Sequence, residues 1–440
     1  MPRFFPIPAR SSASRSRLSP LFFLLLSLFP SLSPAQPALR LVSLDSSHPF
    51  IRYKADTLYS APNSGAADRF FDKWSTLAAT GRGHISIVHI GGSHVQAGTF
   101  PHRVRQNLLA AYPHLVSDRG MIFPYSAARK CNNPADYKIH RSHPLQLTRN
   151  VYKEPDVPLG LCGIAVTARD SLAAIAIVIP DSLIAYRSTQ VVLFGLSPDS
   201  VVPLLGLQGR EVPPSYIDSR TRRYVFNLSS SVDSFCILLP CKAGQSFSLT
   251  GVYLANKRPG FSYHSIGVNG AAVPDYIKCS YLSSDLRSLR PDLVIFGIGI
   301  NDANAKDFDT AAFRQSYLQL VDSIRSVCPN CLFLFVTNND AYRRTGRRSY
   351  SVNTNGLLAR DVFYRLANDT GGLLWDQFYV MGGLRSMDKW RIAKLAQHDR
   401  VHFTRSGYEL VGDLLTNALF KAYNDYIAHN KAPVNSILTP

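Results

Sequence analysis

Beyond its first thirty-five residues, this 440-residue sequence has no run approaching eighteen apolar residues, so no later segment has the length of a membrane-spanning helix. Acidic residues are scarce, 30 against 48 Lys and Arg, which gives a formal net charge of +18. The basic residues are scattered and no recognition motif accompanies them, so a nucleic-acid partner is not expected. No His, Cys and carboxylate cluster has the spacing of a zinc site. His398 and His402 stand four apart without further ligands nearby, so neither a metal nor another cofactor is expected. The seven cysteines permit disulfides with at least one thiol left over, and their pairing is open. Cys328-Pro329-Asn330-Cys331 has redox-motif spacing, but it falls between a helix ending near Val327 and a strand starting at Leu332. Away from a helix N-terminus, a local disulfide or two plain thiols is expected there, not oxidoreductase chemistry.

The one short apolar run comes at the start. Arg3, Arg10, Arg15 and Arg17 precede Leu21–Phe29, and the small residues Ser33-Pro34-Ala35 follow. This is the pattern of a secretory signal peptide over 1–35, with no cysteine after it to carry a lipid. The expected location is therefore periplasmic, envelope-associated or extracellular. Those residues hold four of the basic side chains and no acid, so removing them lowers the charge from +18 to +14. A basic exported protein is drawn to anionic envelope polymers or membrane surfaces. About 405 remaining residues with 46% apolar composition suffice for two domains and a sizeable core.

Hydrophobic periodicity predicts a helix over 66–79 and a buried strand over 84–90. From about 140 to 258 the texture changes to alternating, β-branched segments separated by Pro, Ser, Asp and Gly turns, which predicts an inserted β-sandwich. Strand and helix then alternate again: strands at 261–266, 292–297, 332–336 and 373–375, and helices at 310–327 and 355–367. A last helix opens with the capping-box pattern Ser406-Gly407-Tyr408-Glu409. Buried strands alternating with amphipathic helices predict a parallel sheet covered on both faces, with the ligand off the strand C-termini. The expected organisation is 36–139 and 259–426 for the α/β domain, 140–258 for the insert and 427–440 for a tail.

Ser93 follows the first strand, in Gly91-Gly92-Ser93-His94, where a sharp strand-to-helix turn presents a hydroxyl next to helix N–H groups. Asp399-Arg400-Val401-His402 places an acid and a base three residues apart before the last helix. Acyl transfer needs a nucleophile, a base and donors for an oxyanion. Ser93 can be the nucleophile, His402 the general base, and Asp399 the group that fixes the imidazole tautomer. The backbone N–H groups of Ser93 and Gly270 and the amide of Asn301, all at predicted strand ends, can form the oxyanion hole. Each has a plain alternative: turn glycines, loop caps at Asn301 and Asp302, a surface histidine. His94, Gln96 and the arginines of 343–348 are further candidates for lining the pocket.

Four blocks carry a resemblance: Gly91-Gly92-Ser93-His94, Gly267-Val268-Asn269-Gly270, Gly299-Ile300-Asn301-Asp302 and Asp399-Arg400-Val401-His402. The chain resembles the SGNH/GDSL hydrolases over nearly all of 66–112 and 260–424. The resemblance implies a flavodoxin-like three-layer α/β fold with a parallel sheet, no metal, and serine esterase activity, with Ser93, Gly270, Asn301 and His402 as the namesake positions. The first block departs from the family pattern, with Gly92 where the family has Asp. The 176 residues between Ser93 and Gly270 are similar in arrangement to envelope esterases interrupted by a carbohydrate-binding-like, jelly-roll-like sandwich, peptidoglycan O-acetylesterases among them. The substrate this implies is an acylated envelope glycan. The alternatives are another ester, including a lipid, or glycan binding on a catalytically weak scaffold. Oligomeric state is open.

Overall fold

The structure, a computed structural model, describes residues 38–430 except 63, 130, 181–187 and 348. The expected signal peptide and residues 431–440 lie outside them. The described residues form one compact unit. No helix among the described residues is long and apolar enough to cross a membrane.

The fold is α/β. Seven strands form the main sheet, in the order Leu58–Ser60, Leu373–Trp375, Leu332–Val336, Leu293–Gly297, His84–Gly91, Gly260–Gly267 and Val116–Asp118. All pairs are parallel except the antiparallel edge made by Leu58–Ser60. Side chains alternate across the sheet, so the central strands feed two cores. Ile85, Ile87, Leu293 and Ile295 pack with Trp74, Val104, Leu108, Leu415 and Leu419, from the helices Gly65–Thr80, Thr99–Ala111 and Arg405–Asn430. Val88, Ile90, Val294 and Phe296 join the opposite core, with Leu286, Tyr317, Leu320 and Phe363 from the helices Leu282–Leu289, Thr310–Arg325 and Asn355–Thr370.

Two antiparallel sheets lie between the strands His84–Gly91 and Gly260–Gly267. One orders Arg210–Val212, Leu204–Leu207, Ser234–Pro240, Leu172–Val178 and Lys138–Arg141. The other orders Tyr216–Asp218, Arg223–Val232, Ser188–Leu196, Ser246–Ala255, Ile164–Arg169 and Gln146–Arg149, with Gly120–Ile122 also paired to Ser246–Ala255. The antiparallel layer thus begins upstream of residue 140. Gly120, at φ +79, brings it against the main sheet; a Cβ there would sit 2.5 Å from the Tyr263 carbonyl oxygen.

Two local expectations change. The last helix starts one residue earlier, at Arg405, and its cap is Thr404, whose Oγ1 accepts the Gly407 N–H at 3.3 Å. Glu409 does not complete a capping box with Ser406; its Oε1 accepts from Arg405 Nε at 3.0 Å, one turn away. All seven cysteines are thiols. Burial pushes Cys328 up to about 11 and Cys331 well above its usual range, the opposite of an activated redox pair.

Candidate active site

The strand His84–Gly91 lies centrally, paired on one side with Gly260–Gly267 (Gly91 opposite Gly267) and on the other with Leu293–Gly297 (Gly91 opposite Gly297). Three of the sequence blocks therefore leave one sheet edge from three adjacent strands. The first of these strands ends at Gly91, Gly92 makes the turn and Ser93 opens the short helix Ser93–Gln96. That turn is packed from beneath: the Tyr276 hydroxyl donates to the Gly91 carbonyl at 2.8 Å, and a Cβ at Gly91 would collide with Val95.

Ser93 Oγ lies 2.7 Å from His402 Nε2, and His402 Nδ1 lies 2.7 Å from Asp399 Oδ2. With the carboxylate accepting from Nδ1–H, Nε2 is left as the acceptor facing the serine hydroxyl. Asp399 Oδ1 accepts the backbone N–H groups of Val401 and His402, each at 3.0 Å. Burial alone would raise this carboxyl. The hydrogen bonds from the imidazole and the two backbone groups outweigh it and hold Asp399 at about 2.

The loop carrying Asp399 and His402 is fixed on both sides. Tyr342 N–H donates to the Arg400 carbonyl at 3.1 Å and Asn339 Nδ2 to the Val401 carbonyl at 3.0 Å. The Arg400 guanidinium lies over the rings of Tyr342 and Tyr350, 5.1 and 4.9 Å from their centroids. The helices that follow Ser93 and His402 are clasped together, since Asp413 accepts Arg103 Nε at 2.6 Å and Asn107 Nδ2 at 2.7 Å. A shift of either helix would separate His402 from Ser93.

Asn301 follows the third strand, in the short helix Ile300–Ala303. Its Nδ2 donates one proton to the Ala271 carbonyl at 2.9 Å, which leaves the second for another acceptor. Gly270, at φ +83, is exposed in the neighbouring turn, and a side chain there would be strained. Asp302 ties the blocks together, accepting the Val273 N–H at 3.1 Å.

His94 lines a small cavity of about 30 Å³ with Phe100, Asn338 and Tyr408, apart from the one beside Asn301 and Asp399. His94 Nδ1 meets the Tyr408 hydroxyl at 3.0 Å and its ring lies 5.1 Å from that of His402. Burial drives its proton off, lowering it to about 3. Gln96 is buried and braces the turn before Gly270. Arg343 and Arg344 do line a cavity of about 270 Å³ beside Asn301 and Asp399, with Tyr342, Tyr350, Asn304 and Asn353. The aromatic and amide members of that cavity carried no sequence signal, since they come from the hairpin Tyr342–Arg344/Tyr350–Val352 and two loops. Gly92 has room for a side chain: an added Cβ would be 3.4 Å from Asn301 Nδ2, its nearest neighbour.

Residues 243–410 match the model of the GDSL-like lipase/acylhydrolase family. Over that segment the chain is similar to the GDSL-like hydrolases. The matched segment contains Gly270, Asn301, Asp399 and His402, whereas Ser93 lies upstream, beyond the sandwich. The chain is similar in structure to a peptidoglycan O-acetylesterase, at TM-score 0.67 and 19% identity over 84% of this chain and 99% of the other. Local similarity extends to an acetyl xylan esterase (AlAXEase; TM-score 0.28, 20% identity, 35% of this chain and 78% of the other) and to a lipase/acylhydrolase from Enterococcus faecalis (0.28, 21%, 37% and 77%). No curated protein sequence matches significantly.

Proposed function

We propose that the chain is an exported serine esterase that removes O-acetyl groups from an envelope polysaccharide, with peptidoglycan as the first candidate. The observation that carries the reading is the unbroken hydrogen-bonded series from Ser93 through His402 to Asp399, 2.7 Å at each step, at the end of the strand His84–Gly91. Ser93 Oγ attacks the acetyl carbonyl carbon as His402 Nε2 takes its proton. The oxygen that becomes negative is received by the N–H groups of Ser93 and Gly270 and by Asn301 Nδ2. The intermediate collapses by breaking the bond to the sugar oxygen, which leaves with the proton from His402. Water, activated by the same imidazole, then releases acetate and restores Ser93.

The glycan reading is supported by the peptidoglycan O-acetylesterase that shares the fold, and by the aromatic, amide and cationic lining of the cavity beside Asn301. A lipid acyl chain calls for an apolar channel instead. The amino-terminal signal pattern and the positive charge fit work in the envelope.

Purified protein is expected to release acetate from isolated O-acetylated peptidoglycan, and Ser93→Ala to abolish that release. Acetate release that persists in Ser93→Ala overturns the mechanism. A marked preference for long-chain over short-chain p-nitrophenyl esters overturns the glycan reading while leaving the esterase.

A further inference from the structure

The turn that carries Gly270 is gripped from two sides, and one grip comes from the inserted sandwich. Ala271 N–H donates to the Val268 carbonyl at 3.0 Å, and Gly270 at φ +83 follows a residue outside the positive-φ region. This is the type II pattern over Val268–Ala271. In such a turn the central peptide, here the Asn269 carbonyl and the Gly270 N–H, takes no part in the closing hydrogen bond. Types I and II differ mainly in the orientation of that peptide, so something outside the turn must set it. The unit is planar and trans, so its C=O and N–H point in opposite directions. Whatever fixes the Asn269 oxygen therefore fixes the aim of the Gly270 N–H.

Arg149 Nη2 donates to the Asn269 carbonyl oxygen. Arg149 ends the sandwich strand Gln146–Arg149, where it stands opposite Ile164 of the next strand. The surrounding contacts hold that strand end in place. A Cβ at Gly163 would sit 3.1 Å from Val268, so the two turns are in direct contact. Tyr281 N–H donates to the Leu159 carbonyl at 3.0 Å, and Asp285 Oδ2 accepts the Leu161 N–H at 2.9 Å. From the opposite side, Gln96 Oε1 accepts the Asn269 N–H at 2.6 Å.

We propose that Arg149 is a positioning residue through which the sandwich orients the Asn269–Gly270 peptide toward the oxyanion. Its cationic donor on the carbonyl also strengthens the N–H at the other end of the same peptide. The inference rests on the oxyanion-hole assignment of the proposed function. It makes turnover depend on a sandwich residue even for a substrate too small to touch the sandwich.

The test uses p-nitrophenyl acetate and the full chain. Removing an oxyanion donor typically costs 10²–10³ in turnover, and misaiming one costs less. Arg149→Ala is expected to lower kcat by about tenfold with KM and thermal midpoint near wild type. Added guanidinium is expected to restore part of the loss. Arg149→Met, which keeps the packing of the stem, is judged by the same criteria if the alanine variant does not fold. Unchanged kcat overturns the inference, as does a rise in KM alone, which would make Arg149 a substrate-binding group. Asn301→Ala separates the two layers. If it slows turnover and Arg149→Ala does not, only the role of Arg149 falls; if neither variant slows turnover, the oxyanion-hole assignment falls too.

Discussion

Gln96 Oε1 accepts the Asn269 N–H at 2.6 Å, so the short helix that presents Ser93 also holds the turn that presents Gly270. The nucleophile and one of its proposed oxyanion donors are spaced by a single side chain. Gln96→Leu removes the acceptor from a turn that is exposed at Asn269, at a cost of about 0.5–1.5 kcal/mol. The expected outcome is a lower urea midpoint together with reduced kcat on p-nitrophenyl acetate. Wild-type values for both would remove Gln96 from the site.

Asp399→Asn keeps an oxygen for the Val401 and His402 N–H groups but can turn an NH₂ toward His402 Nδ1. The imidazole would then carry its proton on Nε2, where it cannot accept from Ser93. The expected loss in kcat is about 10⁴, by analogy with serine protease triads, with little change in fold. Circular dichroism and single-turnover kinetics separate the two effects.

Two imidazoles meet beside Ser93, those of His94 and His402, with ring centroids 5.1 Å apart. Burial holds His94 at about 3, so it stays neutral wherever the enzyme is assayed. A protonated imidazole at His402 cannot take a proton from Ser93. The acid limb of log(kcat/KM) is therefore expected to have a slope of one. A slope of two would show His94 charging as well, and a flat profile from pH 5 to 8 would remove His402 as the base.

Asp302 is raised to about 6 from its ordinary 3.8, because burial disfavours its charge and the Val273 N–H only partly compensates. Between those values the folded chain keeps a proton that the unfolded chain has released. Raising pH from about 4 to 6 therefore removes stability, and the loss levels off above that. Asp302→Asn, which can still accept from Val273, is expected to gain on wild type across this window. Urea midpoints at pH 4.5 and 7 check it; a gap between variant and wild type that is the same at both pH values contradicts the shift.

Gly92 stands where the related hydrolases carry an acid. Its backbone φ is −93, and an added Cβ would meet only ordinary contacts. Gly92→Asp, at the cap of the Ser93 helix, is expected to fold with a thermal midpoint equal to or slightly above wild type. A large drop in midpoint would show that the position requires glycine.

The sequence was most informative where one periodicity extended over a whole element. The helix expected at 66–79 is Gly65–Thr80, because Phe70, Phe71, Trp74 and Leu77 form one apolar face. The strand at 332–336 is unbroken Leu-Phe-Leu-Phe-Val, as a strand buried on both faces must be. Ser93, Gly270 and Asn301 were legible as strand-end residues, and parallel order brings such ends together. What escaped was pairing between distant segments. Gly120–Ile122 is three residues long and is a strand only because Val252–Leu254 lies opposite. Arg149 ends a short alternating strand and has no local mark of function; its partner is 120 residues away. Ser406 and Glu409 have the spacing of a capping box, yet Thr404 is the residue whose hydroxyl reaches the third N–H.

The sandwich is threaded between two strands that lie side by side, His84–Gly91 and Gly260–Gly267. A chain emerging from the ribosome must therefore complete an entire β module before the second strand can dock on the first. Closing so long a loop is slow, and it comes before the serine gains either its base or its donors. Until then the nascent chain carries an unarmed hydroxyl, and esterase competence arrives as a late, all-at-once event in its biogenesis.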